Sequence, residues 1–156
     1  MLLSSTAFEN NRVIPTRYAR QGITGGKNTS IPLAWSGSPA EATSFALSIV
    51  DPHPVASNWV HWLVINLPIE TRSLPEGASL HAMPTGAVEL YNSFGERGYG
   101  GPQPPRGSGM HPYVVSLYAL REATLDLGLN ASLQAFKKTI EESLLARAIL
   151  TGTFER

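Results

Sequence analysis

The sequence predicts a mainly β protein: an antiparallel β-sandwich with one C-terminal helix and long turn-rich loops. Three observations point to sheets packed on each other. The runs Ser44–Val50, Trp59–Leu67 and Tyr113–Leu120 are short, apolar and rich in β-branched or aromatic residues, and each is flanked by proline or other turn formers. Glycine and proline are abundant, 14 and 12 among 156 residues, which interrupts any long helix. Helical spacing occurs once, late in the chain, so βαβ alternation is not expected. A chain of 156 residues suffices for one domain with a real core, and a single domain over residues 1–156 is expected.

Leu2 to Phe8 reads as a first strand, broken by Asn10, Asn11 and Pro15. Tyr18 to Pro32 is polar and glycine-rich and reads as a loop. Leu33–Trp35 is a short apolar patch, and Ser44–Val50 is a strand running into Asp51, stopped by Pro52 and Pro54. Trp59–Leu67 gives the strongest strand signal. Period two places Trp59, His61, Leu63 and Ile65 on one face, with Val60, Trp62 and Val64 on the other. Both faces are apolar, so burial on both sides is expected. Glu70–Glu89 is polar and turn-rich. Tyr113–Leu120 is a further buried strand. Asn130 is the expected cap of a helix whose apolar positions are Leu133, Phe136, Ile140 and Leu144, with Lys137, Lys138, Glu141 and Glu142 toward water. Ala148–Phe154 closes the chain as a strand.

Between these elements lies Asn92–Tyr113, with six glycines and four prolines. Proline fixes φ, while glycine permits close backbone approach. Phe94, Tyr99, Met110, His111 and Tyr113 give the segment side chains that pack. A loop both stiffened and permissive can hold amides at a concave surface suited to anions. It can equally be a tightly turned connection.

Composition excludes several classes. The 12 basic and 12 acidic residues balance, with no basic stripe, so neither nucleic acid nor an anionic membrane surface is an expected partner. There is no cysteine, hence no disulfide framework, thiolate nucleophile or cysteine zinc site. Met1–Phe8 lacks the basic flank and apolar length of a signal peptide, and no run is long enough to span a bilayer. A cytoplasmic location is expected.

Three groups sit at strand–loop junctions: Asp51 with His53, His61, and His111. His61 lies inside an apolar strand, where its nitrogens need partners. It is either a core histidine satisfied by a backbone carbonyl or a ligand group. Asp51 and His53 have turn readings of their own. Taken together, an aspartate that orients two imidazoles beside a row of amides would make a small anion site.

The chain is similar to the phosphatidylethanolamine-binding proteins, the Raf kinase inhibitor-like family, in their short bacterial and archaeal form. The residues that carry the resemblance are Ile31-Pro-Leu-Ala-Trp-Ser-Gly37, Asp51-Pro52, Trp59-Val-His-Trp62, Gly98-Tyr-Gly-Gly-Pro-Gln-Pro-Pro105 and His111-Pro-Tyr113. The resemblance implies a Greek-key sandwich with a small pocket for phosphate-type head groups. By motif that pocket takes Asp51, His61, His111 and Tyr113, with backbone around Gly100, Gly101 and Pro102 completing its wall. It also implies a cis peptide bond nearby, His53–Pro54 being the candidate. The chain departs from the family pattern at Asp51-Pro52-His53-Pro54, one residue short, with His53 in place of a second acid. It departs again at Gln103, where bacterial members commonly carry cysteine, and at Pro112, where a basic residue often stands.

The leading reading is a binding protein for a small anionic ligand: phosphate, a phosphorylated head group or a carboxylate. A regulatory, kinase-inhibitor-like role with a protein partner such as a kinase is an extension of the resemblance. The alternative is a hydrolase using Asp51, His61 and His111 as acid–base groups, with Ser108 three positions from His111 but no nucleophile elbow. A metal site is disfavoured, since the histidine spacing fits no zinc motif, and no cofactor is expected. A homodimer contact through Leu80, Met83 or Leu90 is compatible with the sequence. If the histidines bind as imidazolium, anion affinity should fall as pH rises through ~6.5.

Overall fold

The computed structural model describes all residues, Met1–Arg156. Nine strands and one helix follow in order: β1 Leu2–Ser4, β2 Arg12–Val13, β3 Leu33–Ser36, β4 Ser44–Asp51, β5 Trp59–Pro68, β6 Ser73–Leu74, β7 Val88–Glu89, β8 His111–Leu120, α1 Leu133–Ser143 and β9 Leu144–Phe154. A six-stranded sheet runs β2-β9-β8-β4-β5-β7, and a three-stranded sheet runs β1-β3-β6. All pairings are antiparallel except β2 with β9. The stretch β8-β4-β5-β7 has Greek-key order, because β8 returns past the β4–β5 hairpin to lie beside β4.

Alternation along β4 divides the core. Phe45, Leu47 and Ile49 face the small sheet and pack with Leu33, Trp35, Val115 and Leu117. Ala46 faces the other way, joining Tyr118 and Leu120 beneath Phe136 and Ile140 of α1. The large sheet is therefore covered on both sides, as the doubly apolar strands predict.

On β5 the simple alternation fails twice. Val50 pairs with Val60 and Ile49 with Trp62, leaving His61 as an extra residue. Such a bulge puts two neighbours on nearly the same side. A second irregularity separates Leu47–Val64 from Phe45–Leu67, where Asn66 turns to φ 59°. The outcome is Trp62, Val64 and Leu67 in one core and Val60, Leu63 and Ile65 in the other, in place of the two faces read by period two.

Helix α1 starts two residues later than the sequence suggests. Ser132, not Asn130, is the cap, its Oγ accepting the Ala135 amide at 3.1 Å. Leu144 is not helical; it begins β9 and is 40% exposed. Lys137, Lys138, Glu141 and Glu142 face water. Leu90 is fully buried under α1, which removes it as a dimer contact, whereas Leu80 is exposed.

Candidate functional site

The register brings the ends of three strands together. Asp51 closes β4 opposite Trp59, and Val50 pairs with Val114, so Asp51 and Tyr113 become neighbours. The β5 bulge turns His61 toward Tyr113, the two rings meeting edge-on at 4.9 Å. These residues and His111 line a cavity of about 370 Å³ whose mouth is formed by Val55, Trp59 and Phe94.

Asp51 is buried and bonded on both oxygens. Oδ2 accepts from His111 Nδ1 at 2.6 Å, and Oδ1 accepts from the His53 amide at 2.9 Å. His111 is fully buried, and its Nε2 lies 2.8 Å from Ser108 Oγ. Both of its nitrogens are engaged before any ligand arrives. His53 stacks on His111 with centroids 3.8 Å apart, and its Nδ1 accepts the Val55 amide. It buttresses His111 and does not line the cavity. The His53–Pro54 bond is trans, as is every other peptide bond: the turn closes instead through Ala56 and Ser57 amides on the His53 carbonyl.

His61 and Tyr113 keep free polar atoms. His61 Nδ1 donates to the Gly100 carbonyl at 2.6 Å. Its Nε2 therefore carries a lone pair and has no partner in the protein. Burial is the main cause that lowers the His61 pKa to about 4, against the opposing pull of the Gly100 carbonyl and Asp51. The ring is neutral near pH 7. In the free protein this environment disfavours the imidazolium form of His61, one of the two forms in which the sequence allows it to bind. The Tyr113 hydroxyl is buried with no hydrogen-bond partner, and burial with the nearby Asp51 charge pushes its pKa up, so it stays a donor.

The glycine–proline loop contributes differently from expectation. Gly100 N–H donates to the His61 carbonyl at 2.8 Å, Gly101 N–H to Asn28 Oδ1 at 2.7 Å, and the Pro102 carbonyl accepts the Arg20 amide at 3.1 Å. Gly100, Gly101 and Pro102 are buried and outside the cavity lining, and the two glycine N–H groups are already bonded, so they are not an anion cradle. Gly100 acts one layer behind, anchoring His61, while Gly101 and Pro102 tie the loop to Asn28 and Arg20. A Cβ on Gly101 would stand 2.1 Å from the Tyr18 carbonyl, which is why glycine is needed there. Gln103, Pro104 and Pro105 form the wall instead. The aromatic mouth was missed by sequence reasoning. Phe94 packs edge-on to Trp59 and His61 at 5.3 and 5.6 Å, and the Arg20 guanidinium lies 4.0 Å over it, held by Glu96. No group of three or more histidine, aspartate or glutamate side chains is arranged to hold a metal.

A family profile described as phosphatidylethanolamine-binding protein matches residues 4–155. A Methanothermobacter thermautotrophicus UPF0098 protein is 39% identical over 157 residues, covering 100% of this chain and 99% of its own. A Mycobacterium tuberculosis relative with lipoprotein in its name, LppC, is 35% identical over 155 residues, covering 99% of this chain and 72% of its own. The crystal structure of Escherichia coli YbcL, described as a new member of the mammalian PEBP family, superposes with TM-score 0.93 at 32% identity over 99% of this chain and 98% of that one. With the profile spanning nearly every residue and the sandwich shared, the chain belongs to the phosphatidylethanolamine-binding protein family.

Proposed function

We propose that the protein binds the anionic head of a small ligand in the Asp51–His61–His111–Tyr113 cavity: a phosphate monoester, a phosphorylated head group or a carboxylate. The observation that carries this reading is the Tyr113 hydroxyl, buried, unpartnered and part of the cavity wall. A buried orphan donor is costly until something accepts from it. Beside it, His61 Nε2 needs a donor. A monoprotonated phosphate or a carboxylic acid satisfies both, accepting from Tyr113 and donating to His61. The apolar mouth suits the ligand's body.

Because His61 is neutral in the free protein, an anion must bring a proton or place one on Nε2. Affinity then falls with rising pH, by about tenfold per unit while one proton is taken up. Calorimetry with phosphorylethanolamine in two buffers of different ionisation heat reads that uptake directly. Tyr113→Phe and His61→Gln are each expected to weaken binding at least about tenfold, roughly one lost hydrogen bond to a charged group. Wild-type affinity in both variants would overturn the reading.

One observation favours a second reading, a hydrolase. Ser108 Oγ, His111 and Asp51 form an unbroken chain at 2.8 and 2.6 Å, the order of a serine nucleophile, base and orienting acid. Ser108 replaces His61 in the trio expected from sequence. Its hydroxyl also faces the Pro105 carbonyl at 2.6 Å, which competes for the same proton. A fluorophosphonate ester that labels Ser108 in the wild type and not in His111→Ala would favour the hydrolase. A kinase-inhibitor-like role rests on the family alone. No helix is long and apolar enough to cross a membrane. The cytoplasmic location expected from sequence is tested by fractionation.

A further inference from the structure

The strands that build the first cavity carry a second polar group on their opposite face. Along β8, His111 and Tyr113 point to the first cavity, while Val114, Ser116 and Tyr118 point away from it, toward α1. Ser48 and Ser116 stand directly opposite each other on β4 and β8. Ser48, Ser116 and Tyr118 are only 3, 2 and 6% exposed, on strands that also bury Ala46, Val50 and Leu120. Three buried hydroxyls in mid-sheet need a reason.

They floor a cavity of about 130 Å³ whose rim holds Arg147 of β9 and Lys137 of α1. Arg147 Nη2 donates to Ser116 Oγ at 2.7 Å, so the Ser116 hydrogen is left to donate elsewhere. Ser48 Oγ and Tyr118 Oη share one hydrogen at 3.2 Å, leaving the other hydroxyl hydrogen free. Arg147 is also held over the Tyr118 ring at 5.4 Å. Neither Arg147 nor Lys137 has a carboxylate partner, and no acid lines the cavity. The inventory is spare O–H donors, a guanidinium and an ammonium, with no counter-charge. An oxyanion can accept from all of these groups at once, and a planar guanidinium fork suits oxyanions.

The cavity shares Asn58 and Lys137 with a wider groove of about 710 Å³ along α1, lined by polar residues including Gln134, Lys138 and Ser132, with Glu141 its single acid. Ser57 and Asn58, both left-handed at φ 51° and 61°, shape its near end, and Asn58 borders both spaces. Neighbouring non-glycine residues held left-handed are uncommon and are retained where surroundings fix them.

We propose that this face is a second oxyanion site, distinct from the family pocket, that takes a phosphate monoester with a polar, hydroxyl-bearing body. The phosphate occupies the hydroxyl-floored cavity, and the body lies in the α1 groove. The site does not depend on the first cavity: the two are separated by the thickness of the sheet.

The test is an amide NMR titration of the full chain with inorganic phosphate, glycerol phosphate and glycerol. Saturable shifts at Ser48, Ser116, Tyr118 and Arg147 are expected with both phosphates and not with glycerol, glycerol phosphate binding the tighter. Lys137→Gln and Arg147→Gln are each expected to weaken binding at least fivefold, while His61→Gln leaves these shifts unchanged. Lys137 is exposed, so its variant tests the site without risk to the fold. Shifts confined to the first cavity, or unchanged affinity in Lys137→Gln, overturn the site. Equal affinity for the two phosphates overturns the groove's part in it.

Discussion

Asp51 Oδ2 and His111 Nδ1 are 60 residues apart in sequence and 2.6 Å apart in space. The contact ties the end of one central strand to the start of its neighbour. Since Oδ1 also holds the His53 amide, one carboxylate fixes the turn, the stacked ring and the buried ring together.

Asp51→Asn replaces one acceptor oxygen by a donor. Either the His111 ring N–H or the His53 amide then faces an NH2 group. The expected loss is about 1–3 kcal/mol, the cost of a buried unpaired donor. Urea unfolding reads it, and an unmoved midpoint would show that the pair is structurally idle.

His61 makes stability depend on pH in a stated direction. Its pKa is lowered from 6.5 to about 4 in the folded chain. Between those values the unfolded chain binds a proton that the native state refuses. The contribution is fully present above about pH 6.5 and is lost as pH falls toward 4, on the order of 3 kcal/mol in all. In His61→Gln this part of the slope should vanish. Parallel pH profiles for wild type and variant would refute it.

Glu89 is a buried clamp. Its Oε1 accepts from Trp62 Nε1 at 2.7 Å and Ser79 Oγ at 2.5 Å, and Oε2 from the Leu80 amide at 2.8 Å. Glu89→Ala strands two N–H groups and opens a void, so a loss of about 2–5 kcal/mol is expected from unpaired donors and missing volume. A thermal shift no larger than that of a surface Glu→Ala control would contradict this account.

Gly101→Ala forces a methyl group onto the Tyr18 carbonyl. The loop must back away, at about 1–3 kcal/mol for overpacking. It should carry the Gly100 carbonyl off His61, so the His61 pKa, read by NMR, is expected to move. No movement would separate the loop from the histidine.

Much of this was legible because it is written in local pattern. The apolar runs at Ser44, Trp59 and Tyr113 are the three central strands of the large sheet that flank one another. Two of the signals failed for identifiable reasons. Period two on β5 breaks at a bulge, which depends on the partner strand and leaves no mark in Trp59–Leu67 itself. Leu144 fits a helical period, yet pairing with Leu120 draws it into β9. The two-residue strands β2, β6 and β7 exist only through their partners. At the site, Asp51, His61, His111 and Tyr113 all reach the cavity wall. The glycine amides did not, because they bond within the scaffold first. Trp59 and Phe94 were missed since an aromatic at a mouth looks like any other packing residue until the chain is folded.

The parallel pairing of Arg12 and Val13 with Gly152 and Thr153 has a kinetic consequence. A growing polypeptide that has reached only Ser143 has nothing to pair with β2, and β8 is left with a bare edge. Contacts this distant form late and slowly. Until β9 arrives, that edge is a template for a neighbouring molecule. Chains cut short before Leu144 are expected to aggregate rather than persist as smaller native-like pieces.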